Sequence, residues 1–409
     1  MIELAESTGS YAPPQQSTVP FTGRVGLLYV VLALTSFGYS LMCTGIYFYT
    51  HHRFGWTLPQ NLSLAAVQGA VYVGGSLLSH RVAARFGPSR ALSCIYGSVG
   101  LLALICAIGL PVPLLTGVLI LYTFVTAHHA PILESLISTG VDAQKLSRRI
   151  GIYNLIWSGV GALTIAVDGS IIERWPLGIF VIPVVVHFAA AVLVAFWNQD
   201  AHEARTALHQ PQECPPELLT VRTIALWLSR LSLPATYVVV YSLLAMMPSF
   251  PIMQHLSPTR QTLLASVWMI SRWLTFLVLG ATVWWHTRPR LLLLAGVVML
   301  VSFLGVSFGT QYLWMIGCQL ALGAALGLIY AGSLYFGMVL SQGSTEHGGY
   351  HEALIGMGAC IGPGSGALVE FIAPNTPRLC VFTVAGLVSL TILAGAIAAV
   401  RASKRTETN

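Results

Sequence analysis

The stretch YNLIWSGVGALTIAVDGSIIE at 153–173 returns as YHEALIGMGACIGPGSGALVE at 350–370, and Tyr153/Tyr350, Gly159/Gly356, Gly161/Gly358, Ala162/Ala359, Gly169/Gly366 and Glu173/Glu370 all match at an offset of 197. Both copies are apolar over most of their length, so the repeat reads as one membrane-embedded unit used twice in parallel. Gly356, Gly358 and Gly362 superficially suggest a dinucleotide loop, but no strand precedes them and their flanks are apolar helix. Small residues at this spacing instead let transmembrane helices approach closely.

Outward from the repeat, the whole chain has the same character. Of its 409 residues 55% are hydrophobic and 8% charged, with a mean hydropathy of +0.75, whereas soluble domains carry about 25% charged residues. The apolar residues fall into twelve runs at about 24–48, 61–82, 89–110, 112–138, 149–172, 175–197, 221–247, 260–285, 291–309, 312–340, 350–373 and 377–400. Each run is near the ~20 residues that span a bilayer. The expected fold class is therefore all-α and polytopic, with twelve transmembrane helices in two pseudo-symmetric six-helix bundles.

The expected organisation is a polar tail (1–23), a bundle (24–197), a proline-containing linker (198–220), a second bundle (221–400) and a tail (401–409). The offset of 197 carries Arg24 onto Val221, where the seventh run begins, so repeat and hydropathy agree. The first 23 residues lack the pattern of a cleavable signal peptide. If the N-terminus is cytoplasmic, fourteen of the twenty Lys and Arg lie on that side and four (Arg53, Arg174, Arg260, Arg378) on the other, with Arg230 and Arg272 inside spans. The positive-inside rule then makes both termini cytoplasmic, and the expected location is the cell (inner) membrane. The seven cysteines are scattered without a C-x-x-C pair, so neither a metal site, a disulfide framework nor a cofactor is expected. No basic module supports nucleic-acid binding.

Two halves of six spans, a central linker and basic loops after the second and eighth spans together resemble the major facilitator superfamily, over nearly the whole chain. In that family the loop after the second span usually reads G-x-x-x-D-R-x-G-R-R, and the matching stretch here is HRVAARFGPSR. Arg85, Gly87 and Arg90 fit, while Ala84 stands where the acid belongs and His80 where the first glycine belongs. In the second half Gly280, Arg288 and Arg290 fit and Trp284 takes the acid's place. Both copies are degenerate, which weakens the acid-to-arginine latch that the resemblance would imply. The family's antiporter motif is also missing from the fifth span, where Thr164, Ile165, Asp168 and Gly169 stand at its positions. The resemblance implies a secondary transporter that moves a small solute by alternating access, as a monomer in the lipid bilayer. The alternative is a transporter-like receptor or scaffold. A membrane-embedded enzyme is not expected, because no H-E-x-x-H is present and Ser365 has no paired histidine.

Inside hydrocarbon an ionised side chain costs at least ~2.5–3.5 kcal/mol, so each one needs a reason. Counted from Val221 and Arg260, Arg230 and Arg272 lie about 14 and 18 Å into their spans at 1.5 Å per residue, near the midplane. Either can bind an anionic or carboxylate-bearing substrate in a watery cavity, or serve as a strut held by carbonyls and tyrosine hydroxyls. Tyr237 and Tyr241 share a helical face with Arg230, and Tyr122 and Tyr330 complete the expected substrate-binding set. Polar faces on spans one, four, seven and ten, including Ser36, Ser40 and Thr44, suggest a central pathway. Candidates for coupling a proton or cation, or for gating, are His128, His129, Asp168, Glu134 and Glu352. Each also has a structural reading: neutral imidazoles bonded to a neighbouring helix, an interfacial acid facing Arg174, and acids near helix termini or basic residues.

Overall fold

The computed structural model describes residues 22–138, 143–196, 216–288, 290–341 and 345–407. Among these, twelve helices are long and apolar enough to cross a membrane. Spans 1–6 are Val25–Phe54, Leu58–Phe86, Pro88–Ala107, Val112–Ser138, Arg148–Arg174 and Gly178–Ala195. Spans 7–12 are Trp227–Ser249, Pro258–Ala281, Arg290–Phe308, Tyr312–Tyr335, Gly348–Ile372 and Pro377–Ala398.

Helix ends differ from the hydropathy runs for local reasons. Span 1 continues past 48 through the less apolar IYFYTHHRF, because basic His51, His52 and Arg53 suit the C-terminal end of the helix dipole. It stops at Gly55, whose left-handed backbone (φ 65°) lets its N–H bond the carbonyl of Thr50. The helix that carries span 7 begins at Pro216, inside the stretch read as linker.

Spans 3, 6, 9 and 12 turn bare apolar side chains outward, among them Leu104, Val185, Val301 and Leu390, the surface that lipid tails would cover. The halves meet along two seams, span 5 on span 8 and span 2 on span 11. In each seam glycine brings backbones together. A Cβ on Gly169 would collide with the carbonyl of Pro258, and one on Gly366 would lie 3.2 Å from the side chain of Leu62. Leu62 is the 197-residue counterpart of Thr259, the neighbour of Pro258, so the sequence repeat reappears as a repeat of contacts.

Three spans are interrupted. Span 1 contains a π-helical turn at Ser40–Gly45, a feature often found at functional sites. Span 4 breaks between Thr126 and His129, because Pro131 has no N–H for the carbonyl of Ala127 and its ring crowds that turn. Span 8 breaks at Ser266.

Candidate functional site

A cavity of about 110 Å³ lies between the halves, lined from spans 1, 2, 4, 5, 7, 8, 10 and 11. Among its lining residues Ser40 and Tyr237, Thr44 and Tyr241, and Tyr72 and Met269 are counterparts at the 197-residue offset. The duplication thus builds the chamber as well as the seams. Its walls are largely aromatic, with few groups able to carry charge.

The cation among those groups is Arg272, on the second helical segment of span 8, Val267–Ala281. It is 3% exposed. Its guanidinium carbon sits 4.5 Å from the ring centre of Trp157 and 4.9 Å from that of Trp268. Trp157 is itself held, because its indole N–H donates to Asn154 Oδ1 at 3.0 Å and Phe276 and Tyr330 pack against the ring. Each cation–π contact contributes up to about 2 kcal/mol when desolvated. The guanidinium has no carboxylate partner among the described residues, and its Nε is buried without an acceptor. Taking a cation out of water costs several kcal/mol, so the sandwich leaves it under-compensated and able to gain from an anion. The hydroxyls of Tyr237, Tyr330 and Tyr241 stand within electrostatic reach of it.

The structure therefore brings four of the six expected substrate-binding residues together: Arg272, Tyr237, Tyr241 and Tyr330. Tyr241 also meets Tyr39 across the halves, hydroxyl to hydroxyl, at 2.7 Å. Arg230 is not at the cavity. It is half-buried with its guanidinium 5.8 Å from the ring of Trp227, which is exposed. Arg230 stands seven residues before Tyr237, about 10.5 Å along the helix axis, and so falls short of the chamber that Tyr237 and Tyr241 line. Tyr122 is also elsewhere, bonded at 2.8 Å to Nε2 of His187 in the wall between spans 4 and 6.

Of the coupling and gating candidates, His129 and Glu352 line the cavity and His128, Asp168 and Glu134 do not. Both histidines serve the break in span 4. His128 Nδ1 lies 3.0 Å from the carbonyl oxygen of Phe124 and His129 Nδ1 2.6 Å from that of Thr126. A carbonyl only accepts, so each Nδ1 carries the proton and replaces a lost helical donor. Asp168 is fully buried against the π-helical turn rather than interfacial. A Cβ on Gly45 would lie 2.6 Å from both its carboxylate oxygens, neither of which has a partner among the described residues. Glu134 is brought beside Glu352, with Tyr72 donating to Glu352 Oε2 at 2.5 Å.

On the surface loops, Arg85 lies 5.6 Å from the ring of Phe86 and Arg288 5.7 Å from that of Trp284. Arg90 and Arg290 are exposed, and Gly87 takes a positive φ of 79° at the turn between spans 2 and 3. Both degenerate loops thus set an arginine on an aromatic ring, and in the second loop that ring, Trp284, stands where the family pattern has an acid.

Five aromatic wall residues escaped the sequence reading: Tyr39, Tyr72, Tyr153, Trp157 and Trp268. A signal existed for two of them. Tyr153, Trp157 and Gly161 recur every four residues and share one face of span 5, and that face points into the chamber.

The sequence matches the family model described as Major Facilitator Superfamily over residues 28–367. No curated protein matches it. Among solved structures, the human organic anion transporter MFSD10 (TETRAN) superposes with a TM-score of 0.63 at 13% identity, covering 92% of this chain and 100% of that one. A mutant of the nucleoside transporter NupG superposes with a TM-score of 0.60, also at 13% identity, covering 92% and 99%. At that identity the likeness is one of fold.

Proposed function

This chain belongs to the Major Facilitator Superfamily and is a multi-pass membrane transporter, and from that premise we propose that it moves a small solute bearing a carboxylate or other anionic group by alternating access, with Arg272 reading the charge. The observation that carries the proposal is a buried guanidinium, clamped between two indoles and without a carboxylate partner among the described residues, in a chamber shared by both halves. The fold admits organic anions and nucleosides alike, since solved transporters of both have it; the unmatched cation favours the anion. Guanidinium pairs bidentately with carboxylate or phosphate, and the flanking rings hold its plane for that geometry. One chain supplies the whole chamber, which supports a monomeric working unit. The excess of basic residues on one side supports cytoplasmic termini in the cell membrane.

A thermal-shift screen of the purified protein against carboxylate- and phosphate-bearing metabolites should find a ligand that raises the melting temperature. Uptake of that ligand into proteoliposomes should then fall at least about thirtyfold in Arg272→Gln, on the scale of the 2–5 kcal/mol lost when one partner of a buried charge pair is truncated. Arg272→Lys should restore it only in part, because an ammonium lacks the planar fork. Unchanged uptake in a folded Arg272→Gln protein would overturn the proposal. Binding without flux would instead favour the receptor reading.

A further inference from the structure

At one end of the chamber the start of span 11 meets span 4. Gly348 permits the approach, since a Cβ there would lie 3.2 Å from Cα of Pro131 and 3.4 Å from Oε2 of Glu134. At this contact Glu134, His351 and Glu352 each bring one ligand atom to within 4.8 Å of the others, and all three side chains are buried. Neither oxygen of Glu134 has a hydrogen-bond partner among the described residues. The groups acting on Glu134 are the carboxyl of Glu352 and the hydroxyl of Tyr153. A buried charge must be paired or must coordinate an ion. Here two carboxylates face each other across the halves, with the imidazole of His351 beside them.

We propose that Glu134, His351 and Glu352 form a site for a divalent first-row transition metal ion of the Mn²⁺ or Zn²⁺ type. Two carboxylates balance a double positive charge, which removes the burial problem that each acid poses alone. One imidazole with two carboxylates suits such ions, whereas Mg²⁺ and Ca²⁺ prefer all-oxygen shells and Cu⁺ prefers sulfur. With ligand bonds of about 2.0–2.2 Å, the three atoms need to draw in by less than about 1 Å. Outer contacts of the kind that orient metal ligands are in place. Tyr72 donates to Glu352 at 2.5 Å, and Ser333 Oγ lies 3.2 Å from Nδ1 of His351. The absence of a cysteine pattern is no obstacle, because the site uses no sulfur. Glu134 comes from one half and the other two ligands from the second, so the ion would clamp the halves on the side where spans 4 and 11 meet. This site is separate from Arg272 and does not depend on what Arg272 binds.

The test is calorimetric titration of the full, metal-stripped, tag-free protein in nanodiscs with Mn²⁺ and then Zn²⁺. One ion per chain is expected, with binding weakened about tenfold or more in Glu134→Gln and in Glu352→Gln, since losing even an outer-shell partner costs 10–100-fold. Asp168→Asn, which removes a buried acid outside the cluster, should bind as the wild type does. X-ray absorption at the zinc edge of the wild-type protein should show one imidazole nitrogen with carboxylate oxygens and no sulfur, which tests the site even if the glutamine variants fail to fold. The proposal is overturned by absence of saturable binding, by binding that survives both glutamine substitutions, or by a shell containing sulfur or several imidazoles. Stability that responds to pH while no metal binds would identify a carboxyl pair that holds protons only.

Discussion

Along the seam of spans 5 and 8, Gly151 faces Gly280, Gly159 faces the indole of Trp273 and Gly169 faces the carbonyl of Pro258; along that of spans 11 and 2, Gly349 faces the carbonyl of Ser76, Gly356 the amide of Val73 and Gly366 the side chain of Leu62. The seams do one job with related residues, yet the helix faces beside them do not. Tyr153 is 5% exposed and lines the chamber, while its counterpart Tyr350 is 53% exposed. Glu173 accepts from the backbone N–H and hydroxyl of Thr259 in the opposite half, whereas Glu370 accepts from the backbone of Asn375 just beyond its own helix. The counterpart of Arg272 is Gly75, packed so close to the carbonyl of Phe124 that no side chain fits. Positions that close a seam are held to small residues by backbone contact, and positions that face the chamber are free to carry different chemistry in each half.

The strongest way to sharpen this contrast is to substitute alanine at matched seam positions. In Gly169→Ala the new methyl meets rigid backbone, and overpacking of about 1–3 kcal/mol should outweigh the roughly 1 kcal/mol of helix propensity gained over glycine. In Gly366→Ala the methyl meets the flexible end of Leu62 at 3.2 Å, and the two effects should nearly cancel. Thermal unfolding in detergent should therefore show a clear loss for the first variant and little for the second; equal losses would break the comparison.

A smaller effect is expected at the hydroxyl bridge between the halves. Tyr39→Phe removes one partner of the 2.7 Å contact with Tyr241 and should cost about 0.5–1.5 kcal/mol. A double-mutant cycle with Tyr241→Phe should recover most of that cost as coupling, and additive losses would show that the contact contributes nothing. The smallest effect belongs to Arg230→Gln, which should change uptake and stability by no more than about 0.5 kcal/mol, as for a residue away from core and site. A loss matching that of Arg272→Gln would return Arg230 to the chamber.

Much of the scaffold was legible in the sequence because bilayer thickness converts directly into run length. Hydropathy alone separates the twelve spans. The offset of 197 predicts which residues form equivalent contacts, down to Gly169 and Gly366. Polar faces on spans 1, 7 and 10 led to Ser40, Tyr241 and Tyr330, all of which line the chamber. Position along the helix was the weak coordinate: Arg230 shares a face with Tyr237 and Tyr241, but the chamber begins about two turns further on. For the histidines of span 4 the sequence left both readings open, since the demand they meet comes from a break in the helix ahead of Pro131, which composition does not display.

The sequence by itself determined the membrane class, the number of spans and the duplicated plan, because these follow from local hydrophobicity and a period along one chain. It also singled out Arg272 as a charge that needs a reason. Only the tertiary structure decided what that reason involves, because the two indoles that clamp the guanidinium come from different halves and the acid lining the same chamber, Glu352, is held by Tyr72. The same holds for Glu134, which stands more than two hundred residues from His351 and Glu352 in sequence and meets them only because Gly348 lets spans 4 and 11 touch. Which charges share a pocket is a matter of distance across the bundle, and no pattern along the chain records it.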